Sequence, residues 1–331
     1  MNGGRKETMY TKDIMLILAA SFFYFASPML ATPLITGFAG SIGASAALMG
    51  MIGGMMNLCS LFCRPFVGNL ADRISKYKVS LIGAALMSLA CVGYIAADTP
   101  AVVVTARIIN GVGFACCSVC MSTWMSNMLP KEKVGSGMGV YGMMNALGMA
   151  VAPGIGVSVY QRFGYRPAFG IALVFSIMTG VVIQFIGDRG EPAAEKDLHV
   201  RKRIQLVDRK VLPIAAIIML FAIPYCATQS FIVTYTETRG IPVEVSLFFP
   251  LYAAALLVLR FFMKGLFDRL RFRTFLIGSA ASSFAGILLL GMMKNNAVMF
   301  LAAVLMAGGY GIMSSVCQST QFLVPHGTSE R

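Results

Sequence analysis

Arg64-Pro65-Phe66-Val67-Gly68-Asn69-Leu70-Ala71-Asp72-Arg73 returns later in the chain as Arg260-Phe261-Phe262-Met263-Lys264-Gly265-Leu266-Phe267-Asp268-Arg269. Arg, Phe, Leu, Asp and Arg coincide at 64/260, 66/262, 70/266, 72/268 and 73/269, each pair 196 residues apart. Five coincidences in ten at one register are hard to attribute to chance. A fainter echo at the same offset pairs Gly111 and Gly113 with Ala307 and Gly309. In both copies an apolar run ends in a short charged turn. The chain therefore reads as two related halves.

The surroundings of the two copies are unusually apolar. Of 331 residues, 57% are hydrophobic and only 12% charged, with a mean hydropathy of +0.75. Soluble domains carry roughly 25% charged residues. The apolar runs approach ~20 residues, the helical length that crosses a hydrocarbon core. Ten spans result: 14–36, 46–67, 79–97, 102–125, 135–160, 167–187, 211–235, 245–263, 275–293 and 298–323. They read as helices, because a backbone in lipid must satisfy its own hydrogen bonds, and no period-two alternation suggests a barrel. The first span is too long for the apolar core of a signal peptide, and nine more follow. This composition excludes a secreted disulfide scaffold, a disordered chain and a DNA-binding domain, and speaks against a soluble enzyme. No cofactor is implied.

Positive charge orients the spans. Of 27 Lys and Arg, twenty fall in one set of connections and four (Arg162, Arg166, Arg239, Lys294) in the other. The remaining three, Arg64, Arg107 and Arg260, lie inside spans. Excess positive charge marks cytoplasmic loops, so the N-terminus is expected inside a cell (plasma or inner) membrane. The net charge of +13 is spread over separate loops, which fits membrane lipids rather than nucleic acid. A segment dense in both charge signs, 188–210, divides a six-helix half, 1–187, from an incomplete four-helix half, 211–331. All eight cysteines fall inside spans, and Cys117-x-x-Cys120 is read as small packing residues rather than a metal or redox site. Trp124, near the inner end of span four, is read as an interfacial anchor.

Parallel repeats of membrane helices are a feature of one large class of secondary transporters. The quoted residues resemble the major facilitator superfamily over essentially the whole chain. Its signature after helix two, G-x-L-a-D-R-x-G-R-K, is matched by Gly68, Leu70, Ala71, Asp72, Arg73 and Lys76, with Ser75 at the second glycine. The second copy supplies Asp268 and Arg269, with Lys264 where the first glycine belongs. Arg107-Ile108-Ile109-Asn110-Gly111 is similar to the family's Arg-x-x-Gln-Gly. Gly148-x-x-x-Ala152-Pro153-x-x-Gly156 resembles the antiporter motif G-x-x-x-G-P-x-x-G.

The resemblance implies an all-α membrane protein with the major facilitator fold, a monomer that moves a small-molecule substrate by rocker-switch alternating access. Export of a small organic compound is favoured; a proton-linked importer of sugars or organic acids, or a non-transporting remnant or sensor, are the rivals. Gly68, Leu70, Asp72, Arg73, Lys76, Asp268 and Arg269 would form gate latches, Asp72 accepting hydrogen bonds at a neighbouring helix N-terminus. The bland alternative is a tight basic turn. Arg107, a charge at bilayer depth, has three open roles: contact with a substrate anion, proton coupling, or a structural partner for a carboxylate or backbone carbonyls. Gly148, Pro153 and Gly156 would permit close packing and a kink. On spans one, four, seven and ten, which line the family's cavity, the polar and aromatic candidates are Tyr24, Asn110, Tyr225, Gln229 and Tyr310.

Two features depart from the family pattern. None of the fourteen Asp and Glu falls in the middle of a span, so a proton as coupling ion has no visible carrier beyond Asp72 and Glu237 at span ends. Shifting 135–187 by 196 places helices eleven and twelve at about 331–383, so the chain is expected to be truncated after the tenth of twelve helices. The glycine-rich stretch Gly137-x-Gly139-x-x-Gly142 lies in a span with no strand before it and is not a nucleotide site; no G-x-x-x-x-G-K loop exists.

Overall fold

A computed structural model describes residues 11–130, 133–191, 212–263, 272–314 and 316–317. The helices are α1 (Lys12–Ser41), α2 (Ala46–Arg73), α3 (Lys76–Ala96), α4 (Pro100–Met128), α5 (Val134–Phe163), α6 (Tyr165–Gln184), α7 (Leu212–Thr238), α8 (Phe248–Met263), α9 (Phe272–Gly291) and α10 (Asn296–Met306). Among the described residues nine helices are long and apolar enough to span a membrane, and Val245–Arg260 is a shorter apolar one. The protein is an all-α, multi-pass membrane protein.

α1 and α10 begin at Lys12 and Asn296, just before their apolar runs, because a polar cap, and not hydropathy, sets the first turn. Thr11 and Ser45 each accept an N–H from three residues on, Ile14 and Leu48, both at 3.3 Å, and so start α1 and α2. Asn295 does the same for α10 through Val298 N at 3.0 Å. Pro100 opens α4 at a position whose N–H is orphaned in any case. α5 and α6 are joined by Gly164 alone; its φ of +89° is a region that favours glycine.

Two spans differ from their sequence reading. Val245–Leu247 is a 3-10 turn, so the α-helix there starts only at Phe248. Beyond Met306 the chain winds through a π-turn, Ala307–Gly311, before resuming a helical path. Three glycines in this turn lower the cost of the altered winding.

The chain falls into two compact units, Met1–Val200 and Arg201–Arg331. In the first, α1 is the most buried helix and packs on α2, α4, α5 and α6, while α3 lies on α4 and α6. Small residues set these distances. A Cβ on Gly113 would lie 2.7 Å from Gly83 O, and one on Gly83 would lie 2.8 Å from Gly113 O, so α3 and α4 cross with main chains in contact. In the second unit α10 packs on α8 and α9. Ser282 Oγ donates to Leu305 O at 2.6 Å and Ser279 Oγ to Gly308 O at 3.1 Å across the α9–α10 crossing. The pairing α3 with α4 thus returns as α9 with α10, and Gly309 faces Ser283 where Gly113 faces Gly83. The outer surfaces carry large apolar groups, Phe66 at 76% and Phe262 at 74% exposure among them, which suits lipid rather than water.

Residues 187–190 close one end of the first unit. Both Asp13 oxygens accept main-chain N–H groups, from Gly187 at 3.1 Å and Asp188 at 3.0 Å. Ser75 Oγ donates to Arg189 O at 2.5 Å, and Lys76 N to Gly190 O at 2.9 Å. The Arg189 guanidinium sits over the Tyr77 ring, 4.4 Å from its centroid. This fastening corrects the reading of Trp124: it is no interfacial anchor but is wholly buried, edge-on to Tyr77 and covered by Gly190. A hydropathy argument could not foresee a connection folding back over the ring.

Candidate functional site

Four groups of residues hold the expected site positions, and each lies within one unit. The first is the end of α2. Gly68 has open space where a Cβ would be, Leu70 is 39% exposed, and Asp72 and Arg73 are exposed. Among the described residues the Asp72 carboxylate makes no hydrogen bond or ion pair. Lys76, by contrast, is buried, its Nζ 3.4 Å from Ala71 O, so this lysine ties the start of α3 back onto α2. Asp268 and Arg269 lie outside the described residues.

The second group sits where α4 meets α2. Arg107 is 1% exposed. Its Nε donates to Ile52 O at 3.1 Å, its Nη2 to Gly53 O at 3.3 Å, and its Nη1 reaches Met56 Sδ at 3.7 Å. Each carbonyl has a second lone pair free beside its helical bond. Placing a charge at membrane depth costs about 2.5–3.5 kcal/mol on insertion scales, and hydrogen bonds from a charged donor return about 1.5–3 kcal/mol each. Two such bonds offset the burial with no carboxylate. Four residues on, and so on the same helix face, a Cβ at Gly111 would stand 2.6 Å from Met56 O. The Arg-x-x-x-Gly spacing thus serves one contact: the guanidinium grips the α2 main chain and the glycine lets it approach. Of the three roles open in the sequence, this geometry matches the structural one. Beside Arg107, the Tyr94 hydroxyl and the Asn110 amide are buried together, the hydroxyl turned toward the guanidinium.

α5 carries the third group. Gly148 and Gly156 both face α1: a Cβ would lie 3.2 Å from Phe22 O at the one and 2.7 Å from Leu30 O at the other. Pro153 and Ala152 between them are buried on the same seam. There the Tyr24 and Tyr141 hydroxyls meet at 2.9 Å, and the Tyr24 ring packs on Phe114 of α4 at 5.9 Å. Tyr141 escaped the sequence reading because nothing but its neighbouring glycines marked it.

The fourth group belongs to the second unit. Tyr225 of α7 stacks on Tyr310 of the π-turn at 4.3 Å and 15°, and Tyr252 of α8 lies 5.4 Å from Tyr225, tilted by 35°. Gln229 Nε2 donates to the Tyr225 hydroxyl at 2.8 Å. The structure so brings together Tyr225, Gln229 and Tyr310 and adds Tyr252, which sequence reasoning missed. The repeat ties this group to the third, since Tyr310 is the 196-residue counterpart of Phe114. In each unit an aromatic residue of the first helix meets an aromatic residue of the fourth. The described residues contain no group of three or more His, Cys, Asp and Glu suited to a metal. Cys117 instead donates to Ser80 O at 3.5 Å across α3 and α4.

A family model, Major Facilitator Superfamily, matches residues 16–327. Among curated proteins the chain is similar to the staphylopine export protein of Staphylococcus aureus (strain Mu50 / ATCC 700699), 22% identical over 232 residues, which are 67% of this chain and 58% of that protein. It also matches multidrug resistance protein 2 of Bacillus subtilis (strain 168), 23% identical over 203 residues, 61% of this chain and 49% of the relative. The chain thus spans about half the length of the curated relatives it matches. Among solved structures, a peptide transporter POT mutant in complex with sulfate superposes with a TM-score of 0.75 at 13% identity, over 96% of this chain and 82% of that one.

Proposed function

The chain belongs to the Major Facilitator Superfamily, and from that premise we propose that it is a secondary transporter exporting a small organic solute by alternating access. The observation that carries the direction is the α1–α5 seam. Gly148, Pro153 and Gly156 form an antiporter-like run, and the two glycines put the main chains of two helices in contact. Such a seam can slide or tilt without repacking large side chains. The relatives named for export and for multidrug resistance support the same direction. The basic connections support a cell membrane with the N-terminus in the cytoplasm. In this reading Gly68, Leu70, Asp72 and Arg73, with Asp268 and Arg269 as the repeat, latch a gate, and an ion gradient drives the cycle.

Inverted membrane vesicles carrying the chain test this. With a panel of radiolabelled acids, amines and neutral solutes, at least one should accumulate when the membrane is energised and leak when the gradient is dissipated. No gradient-dependent movement of any of them, with the chain inserted, would remove the transporter reading.

A further inference from the structure

Every described Asp and Glu lies in a connection or within the first or last two residues of a helix. Beyond the first three and last two residues of the described helices, the charges are those of Arg64, Arg107 and Arg260. Arg107 is already committed to the α2 main chain. Arg260 is not: its Nε is buried with no hydrogen-bond partner among the described residues, within electrostatic range of Tyr252.

Around Tyr252 stands the tyrosine cluster of the second unit, and its hydrogen bonding leaves it unfinished. Because the Tyr225 oxygen accepts from Gln229, the phenolic proton of Tyr225 remains to be donated elsewhere. A phenol that accepts a hydrogen bond is a stronger donor. Gln229 is 8% exposed, and its Oε1 has no partner. Buried polar groups left without partners are rare in folded proteins, because each forfeits its hydration without return. Arg260 and Tyr225 thus present two donors, and three tyrosine rings present flat apolar surface. Tyrosine boxes otherwise suit organic cations. Here a cation would meet a guanidinium and no carboxylate, whereas the planar guanidinium fork suits a carboxylate.

We propose that the transported solute is an organic carboxylate with a flat apolar body, and that Tyr225, Tyr252, Tyr310, Gln229 and Arg260 hold it. This rests on the transporter reading. Gln229 Oε1 accepts a further N–H or O–H from solutes that carry one.

Equilibrium binding to the purified full chain, with no gradient, tests the idea on one ring and three charges: 4-phenylbutyrate, 4-phenylbutanol and 4-phenylbutylamine. The acid should bind about tenfold tighter than the alcohol, and the amine weakest, as one charge-assisted hydrogen bond predicts. Arg260→Gln should bring the affinity for the acid down to about that for the alcohol, and Arg260→Lys should restore part of the preference. An amine that binds as tightly as the acid, an undiminished acid preference in Arg260→Gln, or binding of none of the three overturns the proposal. If the Gln variant does not fold, the order of the three probes on the unaltered chain decides. Acid preference in binding without vesicle transport would fail the transporter reading alone; transport with an amine preference would fail this one.

Discussion

Arg107 owes its place to two main-chain carbonyls of α2, and this geometry separates its charge from its shape. A lysine keeps the charge but has no fork to reach Ile52 O and Gly53 O together. Arg107→Lys should therefore lower the unfolding free energy by about 1.5–3 kcal/mol, the value of one lost charge-assisted bond. Thermal unfolding in detergent micelles measures this, and an unchanged midpoint would show that charge alone matters. Tyr24→Phe removes a single buried hydroxyl pair with Tyr141 and should cost about 0.5–1.5 kcal/mol in the same assay. The arginine was legible in the sequence as an expensive residue, because a lone charge in an apolar run stands out. Its partners were not, since every residue supplies a carbonyl and no side-chain pattern announces which one will be gripped. Tyr252 was missed for a related reason: a tyrosine in a span is unremarkable until other helices bring rings to it.

Among the elements, α4 and α10 show how the repeat survives sequence drift. Gly113 and Gly309 each face a small residue on the preceding helix, and Ala307 in place of glycine at the other echo position coincides with the π-turn. Gly113→Val would press a branched side chain into the α3 main chain at Gly83 and should destabilise the first unit by about 1–3 kcal/mol. Gly68→Ala meets nothing within 4 Å and should leave unfolding unchanged; the two variants, compared by thermal unfolding, check whether the crossing or glycine content matters. Ten helical segments were legible from hydropathy alone because lipid demands long apolar runs. Their ends were not, since hydropathy measures the hydrocarbon slab while caps such as Thr11 and Asn295 lie beyond it. The π-turn and the 3-10 turn at Val245–Leu247 follow local winding preferences that a window average erases.

For the molecule as a whole, the duplication visible in Arg64–Arg73 and Arg260–Arg269 returned as a duplicated packing scheme within each unit. The family followed from the same residues. If the exposed end of α2 is a latch, Asp72→Asn should slow solute movement several-fold in vesicles without lowering the amount of inserted protein, and equal rates would leave it a plain basic turn. Docked on α1, α3 and α4, residues 187–190 add another whole-molecule consequence. They shorten the leash between the halves, because chain that is stapled down contributes no slack. Loosening it through Asp13→Ala would release six residues, 185–190, worth at most about 20 Å of added reach. It would also bare the bond after Arg189, so trypsin should nick the variant there well before the parent. An equal digestion rate would mean the staple holds without its carboxylate.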